Sequence, residues 1–194
     1  MTSTYLAQIG SQQVELPIVE LGPGIRAALL MTIDLRISVL ERASEELAAL
    51  LASRDVETVV TAATLGIPIA APLAKTLGLD RYIVLQKSRK WHLRDSPFAE
   101  LTSSTTMSAQ RLTLDADRIG EIAGARVAFA DDVIATGGSA RAALDLLTAH
   151  GAEIVSVAAL MTEGDEWRER LGDYSHLVQS LGRLPSGSEL PEPA

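Results

Sequence analysis

The chain has 194 residues, 47% of them hydrophobic and 22% charged, which is typical of one globular domain with a substantial core. Its formal net charge of -8 argues against nucleic acid or an anionic membrane as a partner. The absence of cysteine excludes disulfides, thiol catalysis and cysteine-based metal sites. Because the N-terminus has no signal-peptide pattern and no apolar run could span a bilayer, we expect a cytoplasmic protein.

The first part of the chain gives weak signals and then a clear helix. Residues 1–33 are expected to be irregular, with short strand-like pieces at 5–9 and 14–19. Asp34 is placed to cap a following helix. Residues 35–51 carry apolar side chains with a period of 3.6 residues, which predicts a helix packed on a sheet.

Strand and helix patterns then alternate. A β-branched run at 57–61 predicts a buried strand, 68–77 a helix, and 81–86 a second strand. Further strands are predicted at 153–160 and 178–181. This order predicts an α/β fold with a mostly parallel sheet and helices on both of its faces.

A basic cluster and a polar stretch follow the strand at 81–86. Residues 87–94 form the densest positive patch of an acidic chain, and Lys87 lies closest to the strand end, where open α/β sheets bind ligands. Taken alone, Arg89 or Arg94 is better interpreted as solvated. The polar residues 95–110 lead into a predicted hairpin strand at 105–114, either as a lid or as a plain connection.

The most specific pattern lies at residues 126–141, which read RVAFADDVIATGGSAR. An apolar strand precedes Asp131 and Asp132, and a glycine-containing loop then leads into a helix predicted at 140–149. A helix N-terminus favours a phosphate, and glycine lets the backbone approach it closely. Two adjacent carboxylates repel each other without a ligand, and they accept hydrogen bonds from sugar hydroxyls. An ordinary strand-to-helix turn explains the glycines but not this acidic pair.

This pattern resembles the PRPP-binding (phosphoribosyl pyrophosphate-binding) signature of the type I phosphoribosyltransferases. Residues 57–90 look like the corresponding part of the adenine phosphoribosyltransferase group, and the resemblance extends over roughly residues 5–185. It implies a single-domain, mostly parallel twisted sheet flanked by helices, with a flexible loop at about 91–108. It also implies a small N-terminal hood at about 1–33 and a core at about 34–185. Residues 186–194 are rich in Pro, Gly and Ser and are expected to form a disordered tail.

The resemblance implies a role for each part of the pattern. Asp131 and Asp132, the catalytic residues, would face the ribose hydroxyls of PRPP, directly or through metal-bound water. The 5-phosphate would be bound by the acidic pair's neighbours Ala135, Thr136, Gly137, Gly138 and Ser139. Pyrophosphate would contact Ala63, Thr64, Leu65, Gly66 and Lys87. The cofactor would be Mg²⁺, held mainly by PRPP oxygens with no direct protein ligand.

The resemblance indicates less directly which base accepts the phosphoribosyl group. The position of Ala135 often carries an Asp in 6-oxopurine enzymes, and Ala there favours adenine, although xanthine and orotate enzymes also lack that Asp. The base-contacting residues are not identified by the resemblance, and the candidates are Ile25, Ala27 and Ala135. The implied reaction transfers the phosphoribosyl group from PRPP to a purine such as adenine, forming a nucleoside monophosphate and pyrophosphate in purine salvage.

Two positions depart from the family pattern. Leu65 stands where a polar or charged residue is usual, and Gln86 replaces the Arg of an Arg-Lys pair. An alternative therefore stays open, a non-catalytic regulator that binds PRPP or a nucleotide on the same fold. The family also implies a homodimer, by analogy only.

Overall fold

The hood contains a regular antiparallel sheet. The computed structural model describes residues 3–88, 90–101, 110–187 and 189–190. Within the hood, β1 (Thr4–Ile9), β2 (Gln12–Gly22) and β3 (Ile25–Ala28) pair in that order. The strand-like pieces expected at 5–9 and 14–19 are confirmed by β1 and β2, whereas the irregular backbone expected around them is wrong, because buried residues alternate with exposed ones along both strands, as in a sheet with one face on a core.

The core is an α/β sandwich, as predicted. Its elements are α1 (Ile37–Leu51), β4 (Thr58–Ala62), α2 (Ile67–Thr76), β5 (Tyr82–Leu85), β6 (Phe98–Leu101), β7 (Gln110–Thr113), β8 (Arg126–Ile134), α3 (Gly138–Ala149), β9 (Glu153–Glu163), α4 (Glu166–Leu171), β10 (Val178–Ser180) and β11 (Arg183–Leu184). Strands run parallel in the order β10-β9-β8-β4-β5, and β11 also pairs with β9. The expected mostly parallel sheet is therefore confirmed.

The first helix begins later than expected. Asp34 belongs to a short 3₁₀ turn at Thr32–Asp34, and Arg36 occupies the N-cap of α1 without a side-chain hydrogen bond. The expected cap by Asp34 is therefore wrong. The buried residues of α1 recur at helical spacing from Leu40 to Leu51, so apolar packing rather than capping positions this helix.

Two hydrophobic clusters fill the two faces of the sheet. The hood, α1 and α2 pack on one face, around Ala128, Ala130 and Leu160. The helices α3 and α4 and the β6–β7 hairpin pack on the other face, around Phe129 and Val157. Both faces of β8 and β9 are therefore covered, which explains their nearly continuous apolar sequences.

The chain leaves the middle of the sheet in two directions. Neighbouring strands β4 and β8 are parallel, with Thr61 opposite Ala130. From β4 the chain continues through α2 to β5, whereas from β8 it continues through α3 to β9 on the other side. The loops that follow β4 and β8 therefore diverge, and open α/β sheets bind ligands in the crevice at such a switch point.

Arg126 ties the opposite, amino-terminal edge together. Its guanidinium donates to the carbonyl of Arg54 at 2.9 Å and pairs with Glu153 at 2.9 Å. Its backbone N–H donates to Glu57 at 2.8 Å. The starts of β8 and β9 and the connection into β4 are thereby held by one side chain and its backbone.

The last described residues are packed against the hood. Leu190 is 4% exposed within the hood-side cluster, and its carbonyl accepts from Arg26 Nη2 at 3.1 Å. The expected disordered tail is therefore wrong for this part, because Leu190 buries an apolar side chain there. Residues 188 and 191–194 lie outside the described residues.

The expected lid segment is described only in part. The strand predicted at 105–114 corresponds to β7, which pairs with β6 in an antiparallel hairpin, whereas residues 102–109 lie outside the described residues. Across the described ranges, no helix is long and apolar enough to cross a membrane.

Candidate functional site

The acidic pair lies at the carboxyl end of β8, beside β4 and β9. Asp131 is only 9% exposed, and the backbone N–H of Asp132 donates to its Oδ1 at 3.1 Å. Burial raises the pKa of Asp131 well above its usual value, and the neighbouring Asp132 carboxylate raises it further. Burial also raises the pKa of Asp132. The sheet therefore holds two carboxyl groups where neither ionises easily.

Lys87 opposes this effect from the end of β5. The charge of its ammonium group lowers the pKa of both carboxyl groups. Gln86 just before it exchanges two backbone hydrogen bonds with Thr113 of β7, both at 2.9 Å. The chain leaving β5 is thus fixed to the hairpin, and Lys87 projects near the acidic pair as expected from its place at a strand end.

The 135–139 loop joins β8 to α3 and forms a small cradle. Gly137 has a φ of 76°, a left-handed conformation that favours glycine. A Cβ there would also lie 3.1 Å from Cα of Trp167 in α4. α3 begins at Gly138, so its positive end faces the loop. A cavity of about 200 Å³ is lined by Asp131, Val133, Ile134, Ala135, Thr136, Gly137, Gly138, Ser139 and Ala140.

The 63–66 loop joins β4 to α2 on the other side of the crevice. Its Ala63–Thr64 peptide bond is cis, and the hydroxyl of the buried Thr32 donates to the carbonyl of Leu65. A Cβ on Gly66 would overlap Oγ1 of Thr61 and would also lie 3.1 Å from Oδ1 of Asp131. The absence of a side chain at Gly66 therefore lets this loop approach the acidic pair.

The expected residues do not all meet at one place. The structure brings together the acidic pair, Gly66 and Lys87, and the 135–139 loop continues directly from the pair. Ala135 lies in that loop, whereas Ile25 and Ala27 lie on β3 of the hood, where Ile25 is 60% exposed. In the basic cluster Arg94 pairs with the exposed Asp95, which fits its interpretation as a solvated residue. Arg89 lies outside the described residues.

Sequence reasoning missed three side chains near the carboxyl edge. Thr32 holds the 63–66 loop, and Thr61 is fully buried with a hydroxyl that has no hydrogen-bond partner among the described residues. Glu163 ends β9 half-buried, and burial raises the pKa of its carboxyl. A glutamate that ends a long apolar strand is a signal for the third. The two threonines lie in stretches whose sequence does not distinguish them from ordinary strand or turn residues.

The arrangement has defined binding chemistry. The N-terminus of α3 suits a phosphate, the acidic pair accepts hydrogen bonds from hydroxyls, and Lys87 attracts a second anionic group. In the part of the chain that the structure describes, no group of three or more His, Asp or Glu side chains could hold a metal ion. A divalent cation at this site would therefore take most of its oxygen ligands from an anionic ligand.

Comparisons with known proteins identify a matching family and similar sequences. Residues 34–180 match the family described as phosphoribosyl transferase domain. An adenine phosphoribosyltransferase of Kineococcus radiotolerans is 37% identical over 130 residues, which are 66% of this chain and 67% of that protein. A hypoxanthine/guanine phosphoribosyltransferase of Methanothrix soehngenii is 32% identical over 115 residues, 59% of this chain and 57% of that protein.

Solved structures are similar in fold. The adenine phosphoribosyltransferase of Thermoanaerobacter pseudethanolicus superposes with a TM-score of 0.69 at 22% identity, covering 87% of this chain and 95% of that one. The enzyme of Trypanosoma brucei, solved in complex with AMP, pyrophosphate and ribose-5-phosphate, gives a TM-score of 0.57 at 17% identity, covering 91% and 89%. At these identities the likeness concerns the fold.

Proposed function

The chain belongs to the phosphoribosyl transferase domain family, and from this premise we propose that it transfers the phosphoribosyl group of PRPP to adenine. The observation that carries the proposal is the acidic pair at the end of β8, followed directly by the 135–139 loop and the N-terminus of α3. In PRPP the ribose diol lies next to the 5-phosphate, just as the acidic pair lies next to the 135–139 loop in the protein. The products are AMP and pyrophosphate.

Each part of the site takes one part of PRPP in this proposal. Backbone N–H groups of Thr136, Gly137, Gly138 and Ser139, with Ala135 beside them, bind the 5-phosphate. Asp131 and Asp132 accept hydrogen bonds from the ribose hydroxyls. The 63–66 loop and Lys87 bind pyrophosphate on the β4 side. Binding relieves the repulsion in the acidic pair, because hydroxyl donors replace the water that the carboxylates lost on folding.

The chemistry requires little covalent work by the protein. The bond from C1 of the ribose to pyrophosphate breaks, its electron pair leaves with pyrophosphate, and a base nitrogen attacks C1. Asp131 and Asp132 orient the ribose and favour the positive charge that develops on it. Mg²⁺, bound mainly to PRPP oxygens, would neutralise charge on the leaving group. The acidic pair would contact the metal only through water.

Adenine is the base that we propose. Ala135 supports it, because the loop lacks an acidic side chain there. The relatives named above include both adenine and hypoxanthine/guanine enzymes, so the base must be measured. We further propose a cytoplasmic homodimer, which light scattering after size-exclusion chromatography would test.

The test is a base panel. The purified protein is incubated with PRPP, Mg²⁺ and adenine, hypoxanthine, guanine, xanthine or orotate, while nucleotide and pyrophosphate are quantified. We expect AMP and pyrophosphate in equal amounts with adenine. PRPP binding without turnover of any base would instead favour a non-catalytic PRPP-binding regulator, for which Leu65 and Gln86 are the sequence argument. A protein that does not bind PRPP contradicts both.

A further inference from the structure

The geometry of the proposed reaction determines where the base must enter. The attacking nitrogen approaches C1 from the side opposite to the leaving pyrophosphate, and the proton that it releases as the new C–N bond forms passes to solvent water. In the proposed function, pyrophosphate lies over the 63–66 loop, which follows β4. Since β4 and β9 flank β8 on opposite sides, the base approaches from the β9 side.

Glu163 is the residue that β9 presents at this edge. Ile134, the last residue of β8, lies opposite Thr162, so Glu163 comes next on β9 as Ala135 comes next after β8. Met161 and Val133 are partners in register and both contact the hood-side cluster. Because side chains alternate along a strand, the side chain of Glu163, two residues after Met161, lies on the same hood-facing side of the sheet. Its own partner in register is the buried Leu184 of β11.

The carboxylate of Glu163 has no structural use that explains its burial. In the described part of the chain no hydrogen bond or ion pair reaches it. The nearest guanidinium in sequence on the neighbouring strand, that of Arg183, lies 3.7 Å from Asp165 and 3.9 Å from Glu189 instead. Neither oxygen of Glu163 is among the buried atoms without a partner in the described residues, so both reach solvent and remain open to a donor of a bound ligand.

We propose that Glu163 is a specificity-determining residue that accepts a hydrogen bond from the amino group of the purine. This inference rests on the proposed function and refines it, because the carboxylate selects a base that carries an amino group. Hypoxanthine, which has none, offers no such donor. Adenine and guanine both do, at different positions of the ring, and a test with each base distinguishes them.

The kinetic test uses Glu163→Gln, with Glu41→Gln on the exposed face of α1 as the matched control. We expect kcat/KM for the preferred aminopurine to fall about 10-fold in Glu163→Gln, because the amide oxygen still accepts the hydrogen bond but without the negative charge that strengthens it. The KM for PRPP and the rate with hypoxanthine should stay unchanged. The control should match the unmodified protein. An unchanged preference among the bases in Glu163→Gln overturns the proposal and leaves the proposed function intact.

A binding test does not depend on turnover. Calorimetry compares AMP and GMP with ribose 5-phosphate, which lacks the base. The unmodified protein should bind one nucleotide more tightly than ribose 5-phosphate, and Glu163→Gln should lose about tenfold or more of that difference. If Glu163→Gln keeps the whole difference in affinity between the nucleotide and ribose 5-phosphate, the proposal is overturned, even if no base is turned over. The absence of turnover alone contradicts only the proposed function.

Discussion

Asp131 and Asp132 reduce the stability of the protein in which they stand. Both carboxyl groups have a raised pKa in the folded chain because burial disfavours their charge. Between the unfolded value, about 3.9, and the raised folded value, the folded state binds more protons than the unfolded state. The free energy of unfolding therefore falls as the pH rises through this window. The loss is complete above the folded pKa and absent below the unfolded one.

Asp131→Asn should consequently raise the melting temperature at pH 7, with a gain that shrinks toward pH 4. Thermal melts across this pH range measure the effect. In the same variant kcat/KM should fall at least about 100-fold, because a group that interacts with the transition state is lost. Asp145→Asn, on the exposed surface of α3, is the control for both measurements. A variant that is active at the full rate would contradict the ribose role.

A comparison of Gly137 with Gly124 distinguishes the cost of a left-handed backbone conformation from the cost of a close packing contact. Both have a φ of 76°, but a Cβ on Gly124 would meet nothing within 4 Å, whereas one on Gly137 would press on Trp167. Replacement by Ala should cost about 1 to 2 kcal/mol at Gly124 for the left-handed conformation alone. Gly137→Ala should cost more in urea unfolding and also weaken PRPP binding. Equal losses at the two positions would show that the contact with α4 is unimportant.

At the scale of elements, Thr32 connects the hood to the 63–66 loop at the carboxyl edge of the sheet by a hydrogen bond. Its hydroxyl donates to Leu65, whose loop would bind pyrophosphate. Thr32→Val keeps the shape of the side chain and leaves the Leu65 carbonyl without this donor. We expect a loss of about 1 kcal/mol in stability and a higher KM for PRPP. Thr76→Val, which removes a hydroxyl that bonds within the exposed end of α2, should leave that KM unchanged.

The sequence predicted well those helices and strands in which the spacing of apolar residues matches the spacing of buried residues. The helix at 35–51 shows its buried stripe in the apolar spacing, and the buried strands β8 and β9 show nearly continuous apolar runs. In the hood, β1 and the middle of β2 were predicted, whereas the start of β2 was missed because the polar residues Gln12 and Gln13 hide the alternation there. Burial of Leu190 was missed for a different reason, since one apolar residue among Pro, Gly and Ser has no period.

Within the site, residues that are contiguous in sequence were predicted more easily than residues that only the fold brings together. Residues 131–139 are contiguous, so a single pattern contains both the carboxylates and the loop. Gly66 and Lys87 are far from them in sequence, and only the order of the strands brings them to the same crevice. Glu163 is marked in the sequence only as a glutamate that ends a long apolar strand, which does not show what its side chain faces. Its significance depends on the register of β9 against β8, which no property of residues 153–163 reveals.

At the scale of the whole molecule, the end of the chain secures the hood. Leu190 is buried with hood residues, and its carbonyl accepts from Arg26. Leu190→Ala should reduce the free energy of unfolding by about 2 to 3 kcal/mol, as expected for a large-to-small change in a core. Leu50→Ala, at a position 42% exposed on α1, should cost less than half as much. Chemical denaturation of both variants compares them, and similar losses would mean that Leu190 is not part of the core.

The contacts of Arg126 stabilise the amino-terminal edge of the sheet, whereas the candidate site lies at the carboxyl edge. The starts of β8 and β9 are fastened by the contacts of Arg126 to Arg54, Glu57 and Glu153, all on the side away from the crevice. Loops at the other edge can then be exchanged without touching the fastening that sets the strand order. A loop replaced after β9 would therefore change the acceptor that we propose to bind there, while the contacts of Arg126 keep the strand order.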